Sequence, residues 1–170
     1  MRNVILTFIL SFFCFSFLCC LHASDSDDFN IVFIHGIAGG PKDWQPLVSD
    51  YFDDAYYTMR VGKDNQINHD FQSDQFQSNA WIVSYYTKNV VKESMTGHLN
   101  LYTERLEKLL THISELTGKH KFILVAHSMG GLIARNVMVQ SQERWDSVNQ
   151  VLTVDTPHMG VKLSLGIVGQ

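Results

Sequence analysis

Cysteine occurs only at positions 14, 19 and 20 of this 170-residue chain. A chain cut near Ala23 would carry none, so it could form neither a disulfide nor a thiolate metal site, and packing alone would have to hold it together. Excess positive charge is also missing. Lys and Arg number 13 against 17 Asp and Glu, every acidic residue lies beyond residue 24, and loss of Arg2 with a leader would leave a formal charge of −5. Such a balance excludes the basic footprint that a nucleic-acid partner requires. Histidine is not scarce, but His69, His98, His112 and His120 are scattered without ligand spacing, so no metal and no cofactor is expected. Internal repeats, low-complexity tracts and linkers are absent too, which makes a single domain the reading.

The first 23 residues have a character of their own. One basic residue, Arg2, precedes an apolar stretch from Val4 to Leu21, followed by the small Ala23 and Ser24 and the acidic run Asp25-Ser26-Asp27-Asp28. That order is the order of a secretory signal, so the expected division is a signal peptide over 1–23 and one domain over 24–170, exported to the periplasm or the cell exterior. An apolar stretch of about 18 residues could also just span a bilayer, and an uncleaved membrane anchor is the alternative. A lipid on Cys19 or Cys20 is disfavoured by the bulky Phe17 and Leu18 just before them. The roughly 147 residues that remain suffice for one domain with a real core.

The most informative stretch is Phe122 to Val139. Phe122 to Ala126 is an apolar run too short for a helix and suited to a strand buried on both faces, and a helix-period pattern starts directly after Ser128. Ser128 therefore sits at a sharp strand-to-helix turn, where backbone strain demands small residues two before and two after; these are Ala126 and Gly130. The helix that follows aims unpaired N–H groups and its positive dipole end back at the serine, where an oxyanion would form in acyl transfer.

A second unit of strand, loop and helix opens the domain. Phe29 to Ile34 reads as a buried strand, His35 to Gly40 as a tight glycine-rich loop, and Pro41 as a helix start, with Trp44, Leu47 and Val48 on the apolar side. The loop is no phosphate cradle, because Pro41 stands where the second glycine belongs and Asp43 where Ser or Thr must hold a metal. Between the two units, Ala55 to Val61 and Trp81 to Tyr86 read as strands, Gly62 to Asn79 as a polar surface excursion with Phe71 and Phe76 as anchors, and Leu99 to Leu116 as an amphipathic helix stopped by Gly118. Beyond them Val148 to Val154 reads as a strand leading into Asp155-Thr156-Pro157-His158-Met159-Gly160.

His127-Ser128-Met129-Gly130-Gly131 resembles the nucleophile elbow of α/β-hydrolase lipases and esterases, with Ala126 in place of the first glycine of G-x-S-x-G. The His35-Gly36 pair and the Thr156-Pro157-His158 segment are similar to those of lipase and GPI inositol-deacylase-like members of that family. The resemblance covers about Ile31 to Val161. It implies a doubly wound, mostly parallel α/β sheet whose C-terminal strands and helices lie outside this chain. It also implies Ser128 as nucleophile, the backbone N–H groups of Ile37 and Met129 as oxyanion donors, and His35, Gly36, His127 and Gly130 as supporting residues. Two such donors can each be worth roughly 3 kcal/mol of barrier lowering. The implied substrate is a carboxylic or lipid ester, with contact to a membrane surface made through that substrate; amide or thioester hydrolysis would use the same elbow.

The family order is Ser, then Asp or Glu, then His. Asp155 and His158 follow Ser128 in that order and are the only acid and base the motifs offer, although the histidine of a Thr-Pro-His segment is not the family's base and the true one sits on a later loop. Geometry has to decide. The alternative reading is a truncated, catalytically inactive remnant or binding protein that lacks the general base.

Overall fold

The structure is a computed structural model that describes residues 28–71, 76, 78–87 and 90–160. The expected signal segment and the last ten residues lie outside these. Among the described residues six strands form one sheet: β1 Phe29–Ile34, β2 Tyr57–Val61, β3 Ile67–His69, β4 Ala80–Ser84, β5 Lys121–His127 and β6 Val148–Val154. Their order is β3-β2-β4-β1-β5-β6, parallel throughout except for β3, which pairs antiparallel with β2. The helices are α1 Gln45–Phe52, α2 Val90–Thr96, α3 Leu99–Thr117, α4 Met129–Met138 and α5 Gln142–Ser147.

Strand alternation divides the core into two layers. Val32 and Ile34 of β1, Trp81 and Val83 of β4, and Phe122, Leu124 and Ala126 of β5 face α3 and α4, where Leu106, Leu109, Leu110, Ile113, Ile133, Ala134 and Val137 cover them. Ile31, Phe33, Ile82, Ile123 and Val125 face the other way onto Trp44 and Val48 of the α1 unit. A strand covered on both faces needs apolar residues at odd and even positions alike, which is why residues 31–34, 80–83 and 122–126 read as unbroken apolar runs. Complete burial of a side chain of this size is worth about 1.5–3 kcal/mol.

At the N-terminal edge of the sheet a buried Asn30 ties three elements together. Its Oδ1 accepts from Trp81 Nε1 at 3.1 Å, and its Nδ2 donates to Thr117 Oγ1 at 3.2 Å and to the Lys119 carbonyl at 3.0 Å. Helix α3 ends where Gly118 takes φ 69°, a left-handed cap conformation open to glycine.

Four elements depart from the sequence reading. The 62–79 excursion contains β3, joined to β2 by a turn in which Gly62 N–H donates to Gln66 O at 2.6 Å and Asn65 takes φ 63°. Its two phenylalanines do more than anchor a loop, because Phe71 and Phe76 pack edge-on against Tyr57 at 5.3 and 5.1 Å. The helix after Pro41 starts later than expected, with a 3-10 turn over Pro41–Asp43 before α1. Helices α2 and α5 were not anticipated, being only 7 and 6 residues long.

Candidate active site

Pairing β1 directly between β4 and β5 brings four chain ends to one edge of the sheet. Ile34 is in register with Ala126 and with Val83, and His127 with Val154. The residues that follow these strands, namely His35 and Gly36, Tyr85 and Tyr86, Ser128, and Asp155 and Thr156, are therefore neighbours. The chain leaves β1 toward α1 on one face and β5 toward α4 on the other, which opens a crevice at the carboxyl ends of the two strands, the usual ligand position in a doubly wound sheet.

Ser128 occupies the junction of β5 and α4 with φ 51° and ψ −124°. For a residue with a side chain this is a strained conformation, costing of order 1–3 kcal/mol, and it persists only where neighbours enforce it. They do so here. Ser128 N–H donates to Val154 O at 2.8 Å, and Ser128 O accepts from Gly131 N–H at 3.1 Å and from Thr156 Oγ1 at 2.9 Å. The small residue at 130 is required by close approach: a Cβ there would lie 2.5 Å from His35 O and 2.9 Å from Ile34 O.

The β1 loop presses on the elbow. A Cβ added to Gly36 would sit 2.9 Å from Ser128 Cβ and 3.0 Å from His127 Nδ1. The Gly36 carbonyl accepts from His35 Nδ1 at 2.8 Å, from the Tyr85 hydroxyl at 2.9 Å and from Gly39 N–H at 3.2 Å. The Tyr85 hydroxyl also reaches His35 O at 3.0 Å, and Ala38, at φ 54°, donates its N–H to the Tyr86 hydroxyl at 3.4 Å. Among the described residues, no turn, loop or cap hydrogen bond uses the N–H of Ile37 or of Met129.

His35 is completely buried and stacked on Tyr85 with ring centroids 4.2 Å apart. Burial pulls its pKa down to about 4, against the opposing effect of the Gly36 carbonyl. Because a carbonyl can only accept, Nδ1 carries the proton, and Nε2 is left to accept from Ser84 Oγ at 3.1 Å. Both ring nitrogens are thus committed, and His35 is a neutral brace rather than a proton carrier. Burial also pushes the Tyr85 and Tyr86 hydroxyls up, so both remain protonated.

His127 is half-buried against the Gly36 loop. Asp155 is exposed at φ 52°, and His158 is exposed with Nε2 3.1 Å from Thr153 Oγ1, lining a pocket that Arg135 of α4, Trp145 of α5 and Val151 of β6 also line. Among the described residues, no hydrogen bond joins the Ser128 hydroxyl to a histidine or carboxylate, and no three His, Cys, Asp or Glu side chains gather as a metal site. Sequence reading passed over Ser84, Tyr85, Tyr86 and the hydroxyl of Thr156. The tyrosines stood at the end of an expected strand, the one signal that could have drawn attention to them.

The PGAP1-like alpha/beta domain family matches residues 25–167. A GPI inositol-deacylase of Coccidioides immitis is 28% identical over 139 residues, covering 75% of this chain and 12% of that protein. Among solved structures, the lin2722 gene product of Listeria innocua superposes with a TM-score of 0.59 at 14% identity, covering 76% of this chain and 52% of the other. A Lactobacillus plantarum WCFS1 protein described as a cell surface hydrolase gives 0.58 at 14% identity, covering 75% and 52%. The chain thus spans about an eighth of the curated relative and about half of each solved structure, and its mostly parallel sheet is that of an α/β hydrolase.

Proposed function

The chain belongs to the PGAP1-like alpha/beta domain family, a family of hydrolase type, and on that premise we propose that it cleaves carboxylic esters through an acyl-enzyme on Ser128. The observation that carries the reading is a non-glycine residue at φ 51° between a buried strand and a helix, with the Gly36 loop packed against its Cβ. Ser128 Oγ attacks the ester carbonyl as its proton passes to a general base. The tetrahedral oxyanion receives the N–H groups of Ile37 and Met129, the latter at the positive end of α4. Collapse expels the alcohol and leaves the acyl group on Ser128, and water then releases the acid by the same steps.

The name of the Coccidioides relative suggests the substrate class, an acyl ester on an inositol of a glycolipid. Export through the 1–23 leader, with membrane contact made through that lipid, belongs to the same proposal. His35 is not offered as base, because both of its nitrogens are engaged. For His158 to serve, its bond to Thr153 would have to break and the ring swing toward Ser128. That bond favours a second reading, in which these residues bind the ester and the base comes from outside the described residues or is lacking.

Hydrolysis of a short activated ester by the purified chain, beside Ser128→Ala and a fluorophosphonate probe, decides between them. Turnover and labelling that both vanish in Ser128→Ala are the expected result. Labelling at Ser128 without turnover would support the second reading, and a folded chain that neither turns over nor labels would refute the serine mechanism.

A further inference from the structure

Each of the two amides assigned to the oxyanion belongs to a peptide unit whose other end is held by a side-chain hydroxyl. The Ile37 N–H shares its peptide with Gly36 O, and the Met129 N–H shares its peptide with Ser128 O. A peptide unit is planar and trans, so a carbonyl held in place fixes the direction of the N–H on its far side. Gly36 O is held by Tyr85 at 2.9 Å, through a proton shared with His35 O at 3.0 Å, and Ser128 O by Thr156 at 2.9 Å. Resting on the Ser128 reading above, we propose that Tyr85 and Thr156 are positioning residues that aim the two oxyanion amides from behind.

The two arrangements are built alike. Tyr85 directly follows β4, the outer neighbour of β1, and its hydroxyl reaches inward to the loop that follows β1. Thr156 follows β6, the outer neighbour of β5, and its hydroxyl reaches inward to the elbow that follows β5. In both cases other donors share the carbonyl: His35 Nδ1 at 2.8 Å and Gly39 N–H at 3.2 Å on Gly36 O, and Gly131 N–H at 3.1 Å on Ser128 O. Donation into a carbonyl also polarises the N–H of the same peptide, which makes it a better partner for developing negative charge. Tyr86 extends the restraint by accepting from Ala38 N–H, on the peptide after Ile37.

This placement accounts for a glycine that the elbow alone does not explain. A Cβ at Gly131 would lie 2.1 Å from Thr156 Oγ1, so a side chain there would displace the hydroxyl from the Ser128 carbonyl. It also gives the threonine of the Thr-Pro-His segment a task at the site while the histidine beside it is turned to Thr153.

The test is the rate of phosphonylation of the full chain by a fluorophosphonate, measured to saturation so that probe binding and bond formation separate. The variants are Thr156→Val, Tyr85→Phe and Thr156→Ser, each checked for folding by thermal melting. Loss of an oxyanion donor slows catalysis by about 100- to 1000-fold, and a donor kept but misaimed should cost less. Thr156→Val and Tyr85→Phe should each slow bond formation roughly tenfold with probe affinity unchanged, and Thr156→Ser should restore the rate. A Ser128→Cys background supplies the control, because alkylation of Cys at 128 by iodoacetamide develops no oxyanion. Its rate, mapped to position 128 by peptide mass, should not respond to Thr156→Val. Native rates in a folded Thr156→Val, or equal slowing of alkylation and phosphonylation, would overturn the inference and leave the Ser128 reading standing. A native chain that never labels would overturn both.

Discussion

Acid should destabilise this fold through one imidazole. Folding buries His35 completely and lowers its pKa from 6.5 to about 4, so between those values the unfolded chain binds a proton that the folded chain refuses. Stability from this group is complete above the unfolded value and is lost as pH falls toward the folded one. The whole shift is worth about 3 kcal/mol, of which about 2 kcal/mol disappears between pH 7 and pH 5. Glu93 behaves differently. Burial raises its carboxyl, but the bonds from Thr87 and Arg105 outweigh that and hold it below the usual 4.5, so its contribution fades only at lower pH. The informative variant is His35→Asn, which keeps an N–H near the position of Nδ1 for Gly36 O but cannot titrate. It should be less stable than the native chain at pH 7, because the stacking on Tyr85 is lost. Urea unfolding followed by tryptophan fluorescence at pH 7, 6 and 5 should give a native stability that falls more steeply than that of the variant, by about 2 kcal/mol over the range. Parallel declines would mean that His35 titrates normally and is not the neutral brace described.

Two further perturbations test the fold and the elbow. Asn30→Leu fills the same space but leaves Trp81 Nε1 and the Lys119 carbonyl without the partners seen here; about 2–3 kcal/mol of stability should go, largely regained in the background Trp81→Phe, and a loss under about 0.5 kcal/mol would refute the role of this network. Ser128→Gly should make the chain more stable than Ser128→Ala by about 1 kcal/mol in urea, since only glycine takes φ 51° at no cost; equal stabilities would show that the elbow stores no strain.

The sheet was legible where both faces are covered. Ile31 to Ile34 and Phe122 to Ala126 stand out as short apolar runs, and α3 as a long stripe at three- and four-residue steps, with Gly118 ending it. Strand β6, also read as a strand, buries only Val148 and exposes Asn149 and Gln150. What escaped notice had little apolar surface to show. Strand β3 is 3 residues long with Ile67 as its one apolar member, and α5 buries none of its residues. Such elements form because neighbours hold their ends: β3 by the turn at Gly62, α5 by Ser141 capping Arg144 N–H and by Arg144 bonding Glu107 on α3. Pattern reading sees burial, and these segments are fixed by contacts that leave no period in the sequence.

The site divides along a similar line, for a different reason. Ser128, Gly36 and Gly130 were legible because strain and close approach restrict residue type, so that a small residue becomes visible at a fixed offset from the serine. Tyr85 and Thr156 restrict nothing locally; each matters only because register carries its hydroxyl across to a carbonyl of the neighbouring chain segment. The strain at Ser128 makes the two groups interdependent. A residue held at a cost of order 1–3 kcal/mol stays there only if its restraints are worth as much, and three hydrogen bonds, from Gly131, to Val154 and from Thr156, each contribute about 1 kcal/mol. The sum, about 3 kcal/mol, covers the cost with at most about 2 kcal/mol to spare. The contacts that keep the serine raised are therefore among those proposed to aim the Met129 amide, and on that proposal a chain that loses one of them should lose elbow geometry and oxyanion stabilisation together.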